Sequence, residues 1–240
     1  MEAFGELTMP DRGALTIPEL FTLLISISLL ITIVIGGALR QRHDEHMIVC
    51  AEHLRKLSLA TIRYADNENG ALPGAKGNGT DWWCCRLPSY LKSFKSTLLC
   101  PNASSAAAEV GNAFAAWTIP VRTSTSPTGG QGRAFISGSY GFNGYLAHAR
   151  YANAAPMRPM FGDCIWYSAR PHRTDIMPQN LFLGNADLNR DDQMGDFCIS
   201  RHNGEINIAM LDGSVETVRL HRLWSLDWSG RTASQTAASR

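Results

Sequence analysis

The sequence carries almost no net charge: 22 Lys and Arg stand against 21 Asp and Glu, a formal balance of +1. Without an excess of positive charge there is no field to draw in a polyanion, so nucleic acid is not an expected partner. The cysteines lack any Cys-x-x-Cys pair, the spacing from which a structural zinc site is usually read. A G-x-S-x-G nucleophile elbow is missing too, because in Gly138-Ser139-Tyr140-Gly141 the first glycine directly precedes the serine. No Ser/His/Asp or Cys/His arrangement stands out, so the chain is not expected to be an enzyme.

The most informative absence is local. From Leu20 to Leu39 there is no charged residue, and Leu, Ile, Val and Phe dominate the run. About twenty residues at about 1.5 Å rise per residue cover about 30 Å, the thickness of a bilayer's hydrocarbon. A single membrane-spanning helix is therefore predicted over 15–39. A secretory signal peptide would place its small-residue cleavage site after such a run. Here the small pair Gly13-Ala14 comes before it. A cut after Ala14 removes a polar leader, 1–14, and leaves the apolar helix on the mature chain with Leu15 as its first residue. The flanking charges are small in number: Glu2, Glu6 and Asp11 against Arg12 before the span, Arg40 and Arg42 after it. Taken alone, the positive-inside rule puts the Arg40 side in the cytoplasm.

The junction Arg12-Gly13-Ala14-Leu15-Thr16-Ile17-Pro18-Glu19-Leu20 resembles the leader junction of type IV pilins and type II secretion pseudopilins. The resemblance implies a prepilin peptidase as processing partner, a methylated Leu15 amine, a bacterial inner-membrane anchor and a head on the periplasmic side or in an extracellular filament. It also implies a role for Glu19, fifth in the mature chain. A carboxylate at the lip of an apolar helix costs several kcal/mol unless it is paired. In this family the pairing group is the N-terminal amine of another copy, here that of Leu15. Pro18 falls in the first helical turn, where a missing N–H costs nothing.

Past Arg40, the residues Met47, Ala51, Leu54, Leu57, Ala60, Thr61 and Tyr64 recur at three- and four-residue intervals, a single helical stripe. The amphipathic continuation is assigned to 40–72, with Asn69-Gly70 and Leu72-Pro73-Gly74 stopping the helix. Its apolar stripe needs a sheet to cover it. The pieces Cys50-Ala51-Glu52-His53-Leu54-Arg55-Lys56-Leu57, Leu99-Cys100-Pro101, Ser139-Tyr140-Gly141-Phe142-Asn143-Gly144 and Arg201-His202-Asn203-Gly204 leading to Asp212-Gly213 are similar to prepilin-type proteins with a C-terminal His-x9-Asp-Gly motif. The fold class expected is α+β: a long N-terminal helix packed on an antiparallel β-sheet head over 73–228, followed by a flexible tail, 229–240.

Ile206, Ile208 and Met210 alternate before Asp212-Gly213, with Val215 and Val218 beyond, which predicts a hairpin with a two-residue Asp-Gly turn. His202 then reads as a hydrogen-bonded packing residue rather than a ligand. Asp187, Asn189, Asp191 and Asp196 place oxygens at near-alternate positions, as calcium loops do, although the glycine and glutamate of an EF-hand are missing. Calcium is thus the one cofactor the sequence suggests. In an oxidising compartment Cys50, Cys84, Cys85, Cys100, Cys164 and Cys198 are disulfide candidates, with the pairing left open. Trp82-Trp83 and Trp224/Trp228 read as core packing, with a carbohydrate-stacking surface as the other use. Two functions follow: a structural filament or secretion subunit that assembles through its helix with other copies or homologous subunits, and a membrane-tethered binding module for a carbohydrate or another ligand.

Overall fold

The computed structural model describes residues 16–75, 81–103, 105–106, 109–123, 132–182, 184 and 192–230. The leader 1–14 with Gly13, Ala14 and Leu15 lies outside the described residues, as do Asp187, Asn189 and Asp191 and the tail from 231. Two units are distinguished, Met1–His43 and Asp44–Arg240.

Helix α1, Ile17–Asn67, is 51 residues long. In the first unit every described side chain from Thr16 to Arg42 is exposed, and the helix is long and apolar enough to cross a membrane. Its hydroxyls are satisfied locally: Thr22 donates to the Glu19 carbonyl, Ser26 to that of Thr22 and Thr32 to that of Ser28. A helix in hydrocarbon needs this internal satisfaction, because no water is there to replace it. At the start, the Thr16 N–H and hydroxyl both donate to Glu19 Oε2, at 2.8 Å each. The N–H bond is the carboxylate half of a capping box.

In the second unit α1 carries the expected stripe: Leu54, Leu57, Ala60, Thr61 and Tyr64 are buried and Met47 and Ala51 partly so, and Cys50 and Ala65 are buried beside them. Each large apolar side chain fully removed from water here contributes about 1.5–3 kcal/mol before entropy is counted. The helix ends at Asn67, just before the Asn69-Gly70 stop read from the sequence, because Asn69 and Gly70 take positive φ and Gly70 N–H donates back to the Ala65 carbonyl, a left-handed C-terminal cap.

After α1 come the one-turn helices α2, Trp83–Arg86, and α3, Phe94–Thr97. Among the described residues eight strands follow: β1 Ser105–Ala106, β2 Ala115–Thr123, β3 Gly132–Gly138, β4 Tyr140–Asn143, β5 Pro159–Asp163, β6 Ser168–Ala169, β7 Glu205–Met210 and β8 Val215–Arg219, with a further one-turn helix, α4, at Met194–Phe197. They form a three-stranded sheet, β1-β2-β3, and a five-stranded sheet, β6-β4-β5-β7-β8. The class is α+β as expected, and the pairing is antiparallel except for the short edge strands β1 and β6, which run parallel to their neighbours.

The inner strands β4, β5 and β7 of the five-stranded sheet are buried on both faces, while the edge strand β8 keeps Glu216, Thr217 and Arg219 exposed. One core joins Cys50, Leu54, Leu57 and Tyr64 of α1 to Trp83, Trp117, Phe142, Phe161 and Ala209. The second gathers Ile206, Ile208 and Met210 with Phe197, Val218, Leu223 and Trp228. The alternation along β7 thus sorts its residues between two cores. The β7–β8 turn corrects the two-residue reading. Gly213 N–H donates to the Met210 carbonyl with Gly213 at φ +88°, so the loop is Leu211-Asp212-Gly213, a longer turn completed by a left-handed glycine. The two-residue turn sits at the other end of β7. His202 and Glu205 exchange backbone hydrogen bonds around Asn203 and Gly204, at φ +56° and +86°, the type I′ geometry that Asn-Gly favours.

Candidate functional site

Four chemistry-bearing side chains converge where α1 meets the sheet. Cys50 belongs to the buried stripe of α1, one turn before Leu54. Cys100 follows α3 and precedes the turn Pro101–Ala103. Asp163 is the last residue of β5, and His202 is held by the Asn203-Gly204 turn that launches β7. All four are at most 1% exposed, and one ligand-type atom from each lies within 4.8 Å of the other three.

The contacts are specific. Cys50 Sγ lies 3.3 Å from Asp163 Oδ2 and 3.5 Å from Oδ1. His202 Nε2 lies 3.5 Å from Cys100 Sγ and 3.5 Å from Asp163 Oδ2. A surrounding shell fixes these groups. Arg201 Nη1 stands 3.4 Å from Asp163 Oδ1 and also donates to the Ser139 carbonyl, while Nη2 donates to the carbonyls of Asn112 and Cys164 at 3.1 and 3.0 Å. The Asn207 N–H donates to Asp163 Oδ2 at 3.1 Å. Asn102 Nδ2 donates to the Arg201 carbonyl at 2.7 Å and stands 3.4 Å from His202 Nδ1.

The electrostatics follow from burial and from these neighbours. Burial pushes the Cys50 thiol well up. The Cys50 thiol beside Cys100 pulls it down to about 6, with His202 and Arg201 adding to that against the effect of burial. Burial by itself would lower His202, but its contacts with Asp163 and Cys100 prevail and carry it up to about 10. Burial opposes ionisation of Asp163, yet His202, Arg201 and the Asn207 N–H together hold its carboxyl below the usual range.

A nucleophilic relay is ruled out by geometry. Such a triad presents the two nitrogens of one imidazole to different partners, the nucleophile on one side and the carboxylate on the other. Here both Cys100 and Asp163 face the same nitrogen, Nε2, and no face of the cluster opens to solvent. Atoms aimed at a shared centre, rather than along a chain, are what a coordinated cation requires.

The structure redistributes the other expected site residues. All six cysteines stand as free thiols in this structure; Cys84 and Cys85 neighbour one another on α2, Cys164 follows β5 and Cys198 follows α4. His202 is buried, as a packing residue should be, but in company that packing alone does not call for. Asp212 stands apart from it on the β7–β8 turn, where its Oδ1 accepts from the Ser214 N–H and hydroxyl. Of the proposed calcium ligands only Asp196 is described, buried in α4. Trp83, Trp117 and Trp228 are interior, and Trp82 stacks on Tyr167 with centroids 4.8 Å apart. A cleft of about 800 Å³ lies elsewhere, lined by Leu91, Phe94, Leu98 and Phe135.

Nothing in the sequence spacing joins the four segments, so sequence reasoning missed the cluster; the partial signal was that Cys50, Cys100 and His202 each fall in one of the pieces that carry the family resemblance. Comparison with protein-family models, with curated proteins and with solved structures returns no match to this chain.

Proposed function

We propose that the chain is a non-enzymatic, pilin-like or pseudopilin-like structural subunit, anchored by the first half of α1 in a bacterial inner membrane with its head on the periplasmic side. The observation that carries this reading is α1 itself. One uninterrupted helix of 51 residues presents only exposed side chains up to Arg42 and then supplies a buried stripe to an α+β head. A helix needed only as a tether has no reason to be continuous with the core of the domain it holds. A helix that packs against identical helices uses its exposed apolar half for those neighbours and its buried stripe for its own head.

In this reading a prepilin peptidase cuts after Ala14, the Leu15 amine is methylated, and Glu19 of one copy meets that amine on another. The lateral contacts are apolar helix faces, and side-by-side helices of this kind associate through packing rather than through a hydrophobic drive.

N-terminal mass spectrometry on protein purified from its native membrane tests the proposal. A mature chain beginning at methylated Leu15 is expected. A chain that still begins at Met1, isolated as a monomer, overturns it.

A further inference from the structure

We propose that Cys50, Cys100, Asp163 and His202 form a tetrahedral structural zinc site that fastens α1 to the sheet. The inference goes beyond the filament reading and holds whether or not the chain polymerises.

The first argument is distance. Zinc bonds of about 2.3 Å to sulfur and about 2.0 Å to nitrogen and oxygen give a tetrahedron whose S–N, S–O and N–O edges are about 3.3–3.6 Å. The measured edges are 3.3 Å for Cys50 Sγ to Asp163 Oδ2, 3.5 Å for Cys100 Sγ to His202 Nε2 and 3.5 Å for His202 Nε2 to Asp163 Oδ2. A charge-assisted hydrogen bond between imidazole and carboxylate would close to about 2.7–2.9 Å. The wider spacing is that of a ligand shell around a central ion.

The second argument is donor chemistry. Two sulfurs, one imidazole nitrogen and one carboxylate oxygen suit a borderline-soft ion that accepts four-coordination, which among common divalent ions selects zinc. With four protein ligands and no exposure, the site leaves no position for water or substrate. It therefore matches a structural centre rather than a catalytic one.

The third argument is charge. Zinc binding displaces the protons of both thiols. Two thiolates and the Asp163 carboxylate then carry three negative charges, and zinc together with the Arg201 guanidinium carries three positive ones. Arg201 is itself buried and directed at Asp163 Oδ1. The buried assembly is neutral as a whole, the condition that makes burying its parts tolerable. The same guanidinium binds three carbonyls around the site, and the Asn207 N–H holds the Asp163 oxygen. These outer contacts orient ligands as second-layer partners do in known metal sites.

Position gives the site its use. Its ligands come from α1, from the segment after α3, from the end of β5 and from the turn before β7, so one ion ties the helix to the five-stranded sheet and to the segment after α3. Because the ligands meet only in the folded head, metal binding and head folding are one equilibrium. Bound thiolates are also withheld from disulfide formation.

The test uses the full-length chain, purified in detergent under reducing conditions after expression with zinc supplied. Elemental analysis is expected to find one zinc per chain. The Cys50→Ser/Cys100→Ser variant is expected to fall below a tenth of that, and Cys84→Ser/Cys85→Ser, outside the site, to retain it. Should the first variant fail to fold, cobalt substitution of the wild-type chain decides the matter. Tetrahedral ligand-field bands with thiolate-to-cobalt charge transfer support the site, and an octahedral spectrum overturns it. A folded wild-type chain with no metal, or a Cys50–Cys100 disulfide found by peptide mapping of wild-type chain purified without reductant, overturns it equally.

Discussion

The side-chain amide of Asn207 donates to the backbone carbonyl of Met47 across 3.0 Å, joining the middle strand pair of the head to the long helix one turn before Cys50. Its carbonyl oxygen accepts from the Thr217 hydroxyl at 2.9 Å, and its own N–H holds Asp163. A polar residue on an otherwise apolar strand is thus fully used.

Replacing Asn207 by Ala removes both side-chain bonds and leaves the space of a fully buried amide empty. A destabilisation of about 2 kcal/mol is expected. Chemical denaturation of the detergent-solubilised chain, followed by tryptophan fluorescence, measures it. A loss under about 0.5 kcal/mol, the size of an ordinary surface change, would show that the bond to Met47 does not hold the helix.

Removing Arg201 is expected to be more damaging. Arg201→Met keeps the length of the side chain but removes one of the two cationic groups that face buried Asp163, leaving His202 alone. Breaking a buried pair from one side costs about 3–5 kcal/mol. Equilibrium unfolding of the variant beside the double variant Arg201→Met/Asp163→Asn checks the cause. The second change should recover part of the loss if the uncompensated carboxylate is responsible.

Gly204 offers a clean measure of backbone strain. It sits at φ +86°, and a Cβ built there meets nothing within 4 Å. Gly204→Ala should therefore cost about 1–2 kcal/mol through conformation alone. Gly204→Asn should cost less, because Asn tolerates the left-handed region. Equal losses in thermal unfolding would mean that strain is not the source.

Glu19 distinguishes two roles by one atom. In the chain itself its Oε2 accepts from Thr16, a cap that Gln can also make. A partner's amine, by contrast, requires the negative charge. Under the filament proposal Glu19→Gln and Glu19→Ala both abolish assembly while membrane insertion survives, read by filament shearing and membrane fractionation. If Glu19→Gln assembles normally, Glu19 only caps its own helix.

A different carboxylate is set by burial. Asp175 Oδ2 accepts from the N–H groups of His172, Gln193 and Met194. Burial nevertheless prevails and raises its pKa. Because the folded-state value lies above the unfolded one, the unfolded chain holds fewer protons near that pKa. Asp175 therefore makes the head less stable as pH rises through that range and more stable as it falls. Comparing the pH dependence of unfolding between wild type and Asp175→Asn measures this slope, which should be absent in the variant.

The long helix was legible because its signals are local. An uncharged run and a stripe at three- and four-residue spacing fix α1, and Asn69-Gly70 fixes its end to within a few residues. The α+β class followed from the need to cover that stripe. The turns were read less well. Asp212-Gly213 was taken for the tight turn, although Asn203-Gly204 carries the stronger two-residue signal and forms it. The cluster of Cys50, Cys100, Asp163 and His202 was invisible for a deeper reason. Four single residues on four segments acquire meaning only through tertiary contacts, and no periodicity or motif spacing records those.

Strand β7 is clamped by a two-residue turn before it and a three-residue turn after it, while its two faces serve different cores. Side chains on a strand alternate, so losing one residue between Gly204 and Leu211 would rotate everything beyond it by half a turn. Asn207 would swing away from the helix and Ile206 or Ile208 would take its place against Met47. With both ends pinned, the strand has no slack to absorb such a slip. Length, more than the identity of any single side chain, is what this stretch of the gene must preserve.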